Sequence, residues 1–227
     1  GENLEGRRGQ SPFNLLGFGT GTNHDVIIEQ GATVMEHNSI RSDMSARANR
    51  WAILAVLCLS VFLVVVDNTI VNVALPSLQR DLHASTSALQ WIVDGYSLPF
   101  AALLLAGAGL ADRLGRKRVM HAGLFMFGVF SVGAAFSTSS ASLIIFRALM
   151  GAAAAFVFPA TQSILTVAFP DPSERAKAFG LWGAVSGLAV AFGPITGGLL
   201  ITHFWYGSVF LVNVPLVLIA LGLGLWI

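Results

Sequence analysis

From about position 51 onward the chain is mostly apolar, in six stretches separated by short polar connections. The stretches are Trp51–Leu75, Leu89–Ala111, Val119–Ser137, Ala141–Phe169, Ala178–Thr202 and Ser208–Ile227. A helix needs about 20 mostly apolar residues to cross a hydrocarbon core of about 30 Å. The pattern therefore predicts an all-α integral membrane protein with six spans. The fourth and fifth stretches contain Gly and Pro, which membrane helices tolerate better than soluble ones.

The first 50 residues read differently. They include Glu2, Glu5, Arg7, Arg8, Asp25, Glu29 and Glu36 among many Gly, Ser and Asn, with no apolar run long enough to span. Met44 opens a short basic lead, Met44 to Arg50, directly before the first span. Residues 1–50 are therefore expected to be a polar tail, with Gly1 to Asp43 disordered or translated from upstream. The first apolar stretch is too long for a signal peptide, and no small-residue cleavage site ends it. Residues 51–227 are expected to form the bundle.

Composition agrees with a membrane location. Hydrophobic residues make up 55% of the chain and charged ones 11%, at a mean hydropathy of +0.72. Soluble domains carry about 25% charged residues. The net charge of +1 gives no ground for nucleic-acid binding, because the basic residues sit in short clusters between apolar stretches. Cys58 lies inside an apolar run and reads as a small hydrophobe. No metal-ligand cluster, phosphate loop or nucleophile–base constellation stands out, so neither an enzyme nor a bound cofactor is expected.

Loop charge sets the expected orientation. Arg47 and Arg50 precede the first span, Arg113, Arg116, Lys117 and Arg118 join the second to the third, and Arg175 and Lys177 join the fourth to the fifth. The alternate loops hold only Arg80. By the positive-inside rule the amino terminus is cytoplasmic, and His203, Trp205 and Tyr206 fall at the outer interface.

Three charged residues lie within apolar stretches: Asp67, Asp94 and Arg147. Such residues are costly in lipid and are functional candidates. Asp67 lies about 24 Å along an outward-running helix, and Asp94 and Arg147 about 8–9 Å into inward-running ones. All three are expected at one level in the outer half of the membrane, able to form a carboxylate–guanidinium network. A carboxylate beside a permanent Arg charge can tie proton occupancy to conformation; a purely structural clamp is the alternative. Asn68 and Asn72, one turn apart, would extend a polar stripe along the first span, although Asn in membrane helices is often interhelical glue.

The loop Leu110-Ala111-Asp112-Arg113-Leu114-Gly115-Arg116-Lys117-Arg118 resembles the signature of the major facilitator superfamily, with Ala108 where its leading Gly is usual. There Gly115 would permit a tight turn, Asp112 would cap or attract a helix amino terminus, and the Arg residues would bridge to neighbours. Asp67-Asn68-Thr69-Ile70-Val71-Asn72-Val73-Ala74-Leu75-Pro76 is similar to the first-span pattern of the fourteen-span drug–proton antiporters. Gln90 to Leu98 and Phe210 to Pro215 are similar to their second- and sixth-span patterns. Arg147-Ala148-Leu149-Met150-Gly151 resembles their proton-transfer motif, with Met150 where Gln is common. Gly193-Pro194-Ile195-Thr196-Gly197-Gly198 resembles the antiporter motif, with Ala189 replacing its leading Gly. Gly183, Gly187 and Ala191 would make a smooth groove upstream of it.

The resemblance covers roughly Trp51 to Ile227 and implies the amino-terminal six-helix bundle of a major facilitator fold, its carboxy-terminal half missing. It implies a proton-coupled multidrug efflux transporter of the bacterial inner membrane, driven by the proton gradient without a cofactor. Its partners would be the lipid bilayer, protons and a lipophilic drug. Asp67, Arg147 and Asp94 would couple protons, and Asp112, Arg113, Gly115, Arg116, Lys117 and Arg118 would form the cytoplasmic gate. Gly193, Pro194, Gly197 and Gly198 would form the antiport seal, and Asn68 and Asn72 would line a polar cavity. Importing a small organic solute, or a non-transporting six-span role, are the rival expectations.

Overall fold

In the computed structural model the backbone is described for residues 23–226 and the side chains for residues 49–225. The chain divides into two units, Gly1–Ala46 and Arg47–Ile227. The expected tail over residues 1–22 lies outside the described residues. The backbone of Asn23–Asp81 is helical.

The described elements are helices α1 (Asn23–Asp81), α2 (Thr86–Leu114), α3 (Arg116–Ala135), α4 (Ser140–Ala168), α5 (Pro172–His203), α6 (Ser208–Leu211) and α7 (Asn213–Trp226). Six segments among them are long and apolar enough to span a membrane: Asn49–Asp81, α2, α3, α4, α5 and Ser208–Leu225, which runs through α6 and α7. Most helices run a few residues past the apolar stretches because polar caps, rather than hydropathy, set their ends. The Ser85 side chain accepts the Ala88 N–H ahead of α2, and Ser139 and Ser142 form a reciprocal capping box at α4.

Asp171 caps α5 by accepting from the Ser173 and Glu174 N–H groups, with Pro172 in the first turn where no donor is needed. The Ser173 hydroxyl, followed by the Glu174 N–H, holds the Asp171 carboxyl below the usual range. A depressed carboxyl stabilises the fold above its unfolded pKa and loses that contribution as pH falls through its folded value. Asp171→Ala is therefore expected to lower the thermal midpoint in detergent at neutral pH, while Asp171→Asn, also a good cap, changes it little. The gap between wild type and Asp171→Ala should narrow in acid; a gap constant with pH would contradict the cap.

The helices α2 and α3 both pack on α4. Glycines allow the closest of these approaches. A Cβ at Gly107 would run into the Ala155 carbonyl, and one at Gly151 into that of Tyr96. On α3, Gly123 faces Val157 and Phe156. α5 lies against α1, with Gly193 over Thr69 and Ile70, Gly197 over Ile70, and Phe192 edge-on to Phe62.

Polar contacts tie both ends of the bundle. At the basic end the Arg50 guanidinium is 3.1 Å from the Glu174 carboxylate, joining α1 to α5. At the opposite end the Tyr206 hydroxyl donates to the Ser137 carbonyl. Burial, then the Asp81 charge, pushes the Tyr206 phenol up and keeps it protonated as that donor.

The last span is interrupted at Val212, between α6 and α7. Pro215 explains the break: it has no N–H to offer the Leu211 carbonyl one turn earlier.

Candidate functional site

Asp67 and Arg147 meet in the interior. Arg147 Nη1 is 2.7 Å from Asp67 Oδ2, and both side chains are 0% exposed. Arg147 Nε donates to the Ile92 carbonyl at 3.1 Å, and the guanidinium carbon lies 4.2 Å from the centre of the Tyr96 ring. Tyr96 is itself fixed by its hydroxyl, which donates to the Val64 carbonyl at 3.3 Å. One arginine thus holds α1 and α2 to α4, using its planar fork and its face at once.

The other carboxylate oxygen is held from the sixth span. Asn213 Nδ2 donates to Asp67 Oδ1 at 2.6 Å and to Ser131 Oγ at 3.0 Å, and Ser131 donates to the Phe210 carbonyl at 2.8 Å. Ser131 and Asn213 are both fully buried. An ion pair taken out of water is tolerated only where additional hydrogen bonds satisfy the remaining lone pairs and donors. Here Asn213 supplies such a bond to Asp67 Oδ1 and the Ile92 carbonyl accepts one from Arg147, while the Tyr96 ring lies against the guanidinium and Arg147 Nη2 has no hydrogen-bond partner among the described residues.

Asp94 does not join this cluster, contrary to the expectation of a three-charge network. It is exposed, whereas Ile92 and Tyr96, one turn apart on the same helix, face Arg147. Two positions along a helix is about 200° around it, so Asp94 points to the opposite side of α2. Equal depth did not mean equal facing. Asn68 is half-buried and Asn72 exposed, and the Asn72 amide donates to its own helix, at the Asn68 and Thr69 carbonyls.

At the basic end Gly115 has φ 98°, a left-handed conformation that disfavours side chains, and it makes the turn from α2 to α3. Asp112 does not cap α3. It accepts from Arg116 Nη2 at 3.2 Å and from Nε at 3.3 Å. Arg116 also donates to the Ser163 carbonyl on α4 at 3.3 Å, pinning the turn to the bundle. Arg113, Lys117 and Arg118 are exposed.

The glycine-rich motif of α5 divides between two faces. Gly193 and Gly197 are buried against α1, whereas Pro194 is exposed and a Cβ at Gly198 would meet nothing. Gly183 and Gly187 also border open space.

A family model described as Major Facilitator Superfamily matches residues 57–227. The chain belongs to the major facilitator superfamily. Among its relatives are the methyl viologen resistance protein SmvA of Salmonella typhimurium, 42% identical, and the multidrug efflux pump LfrA of Mycolicibacterium smegmatis, 45% identical. Each alignment covers 77% of this chain, but 35% of SmvA and 34% of LfrA, so the chain spans about a third of their length.

Solved structures agree on the fold. The proton:xylose symporter XylE superposes with a TM-score of 0.64 at 15% identity, covering 80% of this chain and 45% of XylE. A bacterial homologue of the lysosomal transporter Spinster, solved inward-facing, gives 0.58 at 21% identity, covering 78% of this chain and 42% of that one. Family and fold are those of multi-pass membrane transporters, not of an enzyme.

Proposed function

We propose that this chain is the amino-terminal half of a proton-coupled drug efflux transporter of the bacterial inner membrane. The observation that carries the reading is the buried Asp67–Arg147 pair. An ionisable pair kept dry inside a transporter bundle is a functional candidate before it is a stabilising device, since it contributes little net stability. The drug-resistance and efflux names of the relatives support an exported, drug-like substrate.

In this reading Asp67 takes a proton while facing the outer side. Neutralising it weakens its hold on Arg147, and α1 and α4 are then free to shift against each other. The proton leaves on the cytoplasmic side as the drug is exchanged. The arginine-rich turn at Gly115 closes the cytoplasmic side, and the amino terminus is cytoplasmic by loop charge. The open face around Gly183, Gly187 and Gly198 takes the carboxy-terminal half, with which this half shares the substrate path.

Everted membrane vesicles carrying the intact transporter test this. With an acid interior they should accumulate a lipophilic fluorescent cation, and a protonophore should abolish the uptake. Accumulation in right-side-out vesicles instead would favour an importer. A lack of transport in both would support the non-transporting alternative.

A further inference from the structure

We propose that Asn213 and Ser131 form a hydrogen-bond relay that reports the proton on Asp67 to the break in the sixth span. This rests on Asp67 being the acid that carries the proton. Arg147 occupies Asp67 Oδ2, whereas Oδ1 is held only through the Asn213 amide, so Oδ1 is the oxygen open to a proton. The group that senses it is therefore Asn213, a positioning residue rather than a proton carrier.

The polarity of the relay follows from donor and acceptor counts. An ionised carboxylate accepts only, so the amide must turn its NH2 toward Asp67, as it does. The same nitrogen donates to Ser131 Oγ, and Ser131 spends its own hydrogen on the Phe210 carbonyl. A proton on Oδ1 would set two donors face to face. Asn213 Oδ1 is buried and has no partner among the described residues, so it is available to accept.

A turn of the amide about its broad terminal torsion brings that oxygen to the Asp67 hydroxyl. Ser131 then faces an acceptor, redirects its hydrogen to Asn213 and leaves the Phe210 carbonyl. That carbonyl lies in α6, two residues before the break at Val212. Protonation thus unfastens α6 from α3. Leaving a buried donor or acceptor unmatched is costly, which keeps the two polarities from mixing.

The titratable or charged groups against Asp67 are Arg147 on α4 and Tyr96 on α2. α3 and the sixth span present Ser131 and Asn213, and α5 presents Gly193, which lies against Thr69. Ser131 and Asn213 are thus the polar groups that connect Asp67 to the broken span.

The test uses the purified intact transporter with an environment-sensitive fluorophore on Leu218→Cys, an exposed position of α7. Wild type should show a fluorescence step as the pH is lowered, and Asp67→Asn should hold the acid-form signal throughout. Ser131→Ala should reduce the step by about five-fold or more and lower efflux, and Ser131→Thr should restore both. Ser131→Cys, of similar shape but a weak donor, should behave like Ser131→Ala. A full step in Ser131→Ala or Ser131→Cys overturns the relay. If Asp67→Asn itself keeps both the step and efflux, the reading of Asp67 falls first, whatever the serine variants do.

Discussion

Arg147→Met is expected to abolish proton-driven efflux by the intact transporter and to remove about 3–5 kcal/mol of its stability. The loss is large because Met leaves the Asp67 carboxylate buried without its counter-charge, and frees the Ile92 carbonyl and the Tyr96 face that the guanidinium also engages. The double exchange Asp67→Asn with Arg147→Met removes both charges. It should recover most of the thermal midpoint, because a buried pair replaced as a pair is close to neutral, yet recover no transport. Arg147→Lys should fall between, since an ammonium cannot reproduce the planar fork that reaches Asp67 and Ile92 together. Thermal midpoints measured beside vesicle efflux separate the two effects. Transport returning with stability in the double variant would make the pair a structural clamp and nothing more.

Gly151→Leu is expected to prevent the bundle from assembling, and Gly151→Ala to destabilise it by about 1–3 kcal/mol or more. The reason is backbone against backbone. A Cβ at Gly151 runs into the Tyr96 carbonyl, which cannot swing aside as a side-chain tip would. Gly151 lies one turn beyond Arg147 on the same face of α4. The close approach is therefore what brings the Tyr96 ring and the Ile92 carbonyl within reach of the guanidinium. Gly107→Leu, which meets the Ala155 carbonyl on the same pair of helices, should fail in the same way. Gly222→Ala is the control, because a Cβ there meets nothing, and it should be neutral or slightly stabilising. Folded yield and thermal midpoint in detergent check all four; a stable Gly151→Leu would contradict the packing of α2 on α4.

The six spans were legible because hydrocarbon thickness imposes one length on every crossing segment, and hydropathy reads that length directly. Asp67 and Arg147 were legible because a charge inside an apolar run has few places to go. Facing was harder. Depth along the chain placed Asp94 beside them, but the phase of α2 is set by its packing on α4, where Gly107 and Gly151 bring the helices together. Neither glycine signals its role locally, since the atom it avoids belongs to another helix.

Asn213 and Ser131 were missed for a related reason. Asn213 lies in the quoted Phe210–Pro215 pattern, but an Asn or Ser in a membrane helix usually serves as glue, and only the fold brings this pair to the second carboxylate oxygen. The nearby Pro215, which interrupts the last span, was the one local signal that could have drawn attention there.

Proton release on drug binding tests the central claim most directly. In weakly buffered detergent solution near neutral pH, adding a transported lipophilic cation to the purified intact transporter should release protons from the wild type and none from Asp67→Asn. Arg147→Lys should release fewer, because the same carboxylate remains with a poorer partner. Undiminished release from Asp67→Asn would place the coupled proton on another acid and contradict the account built on the Asp67–Arg147 pair.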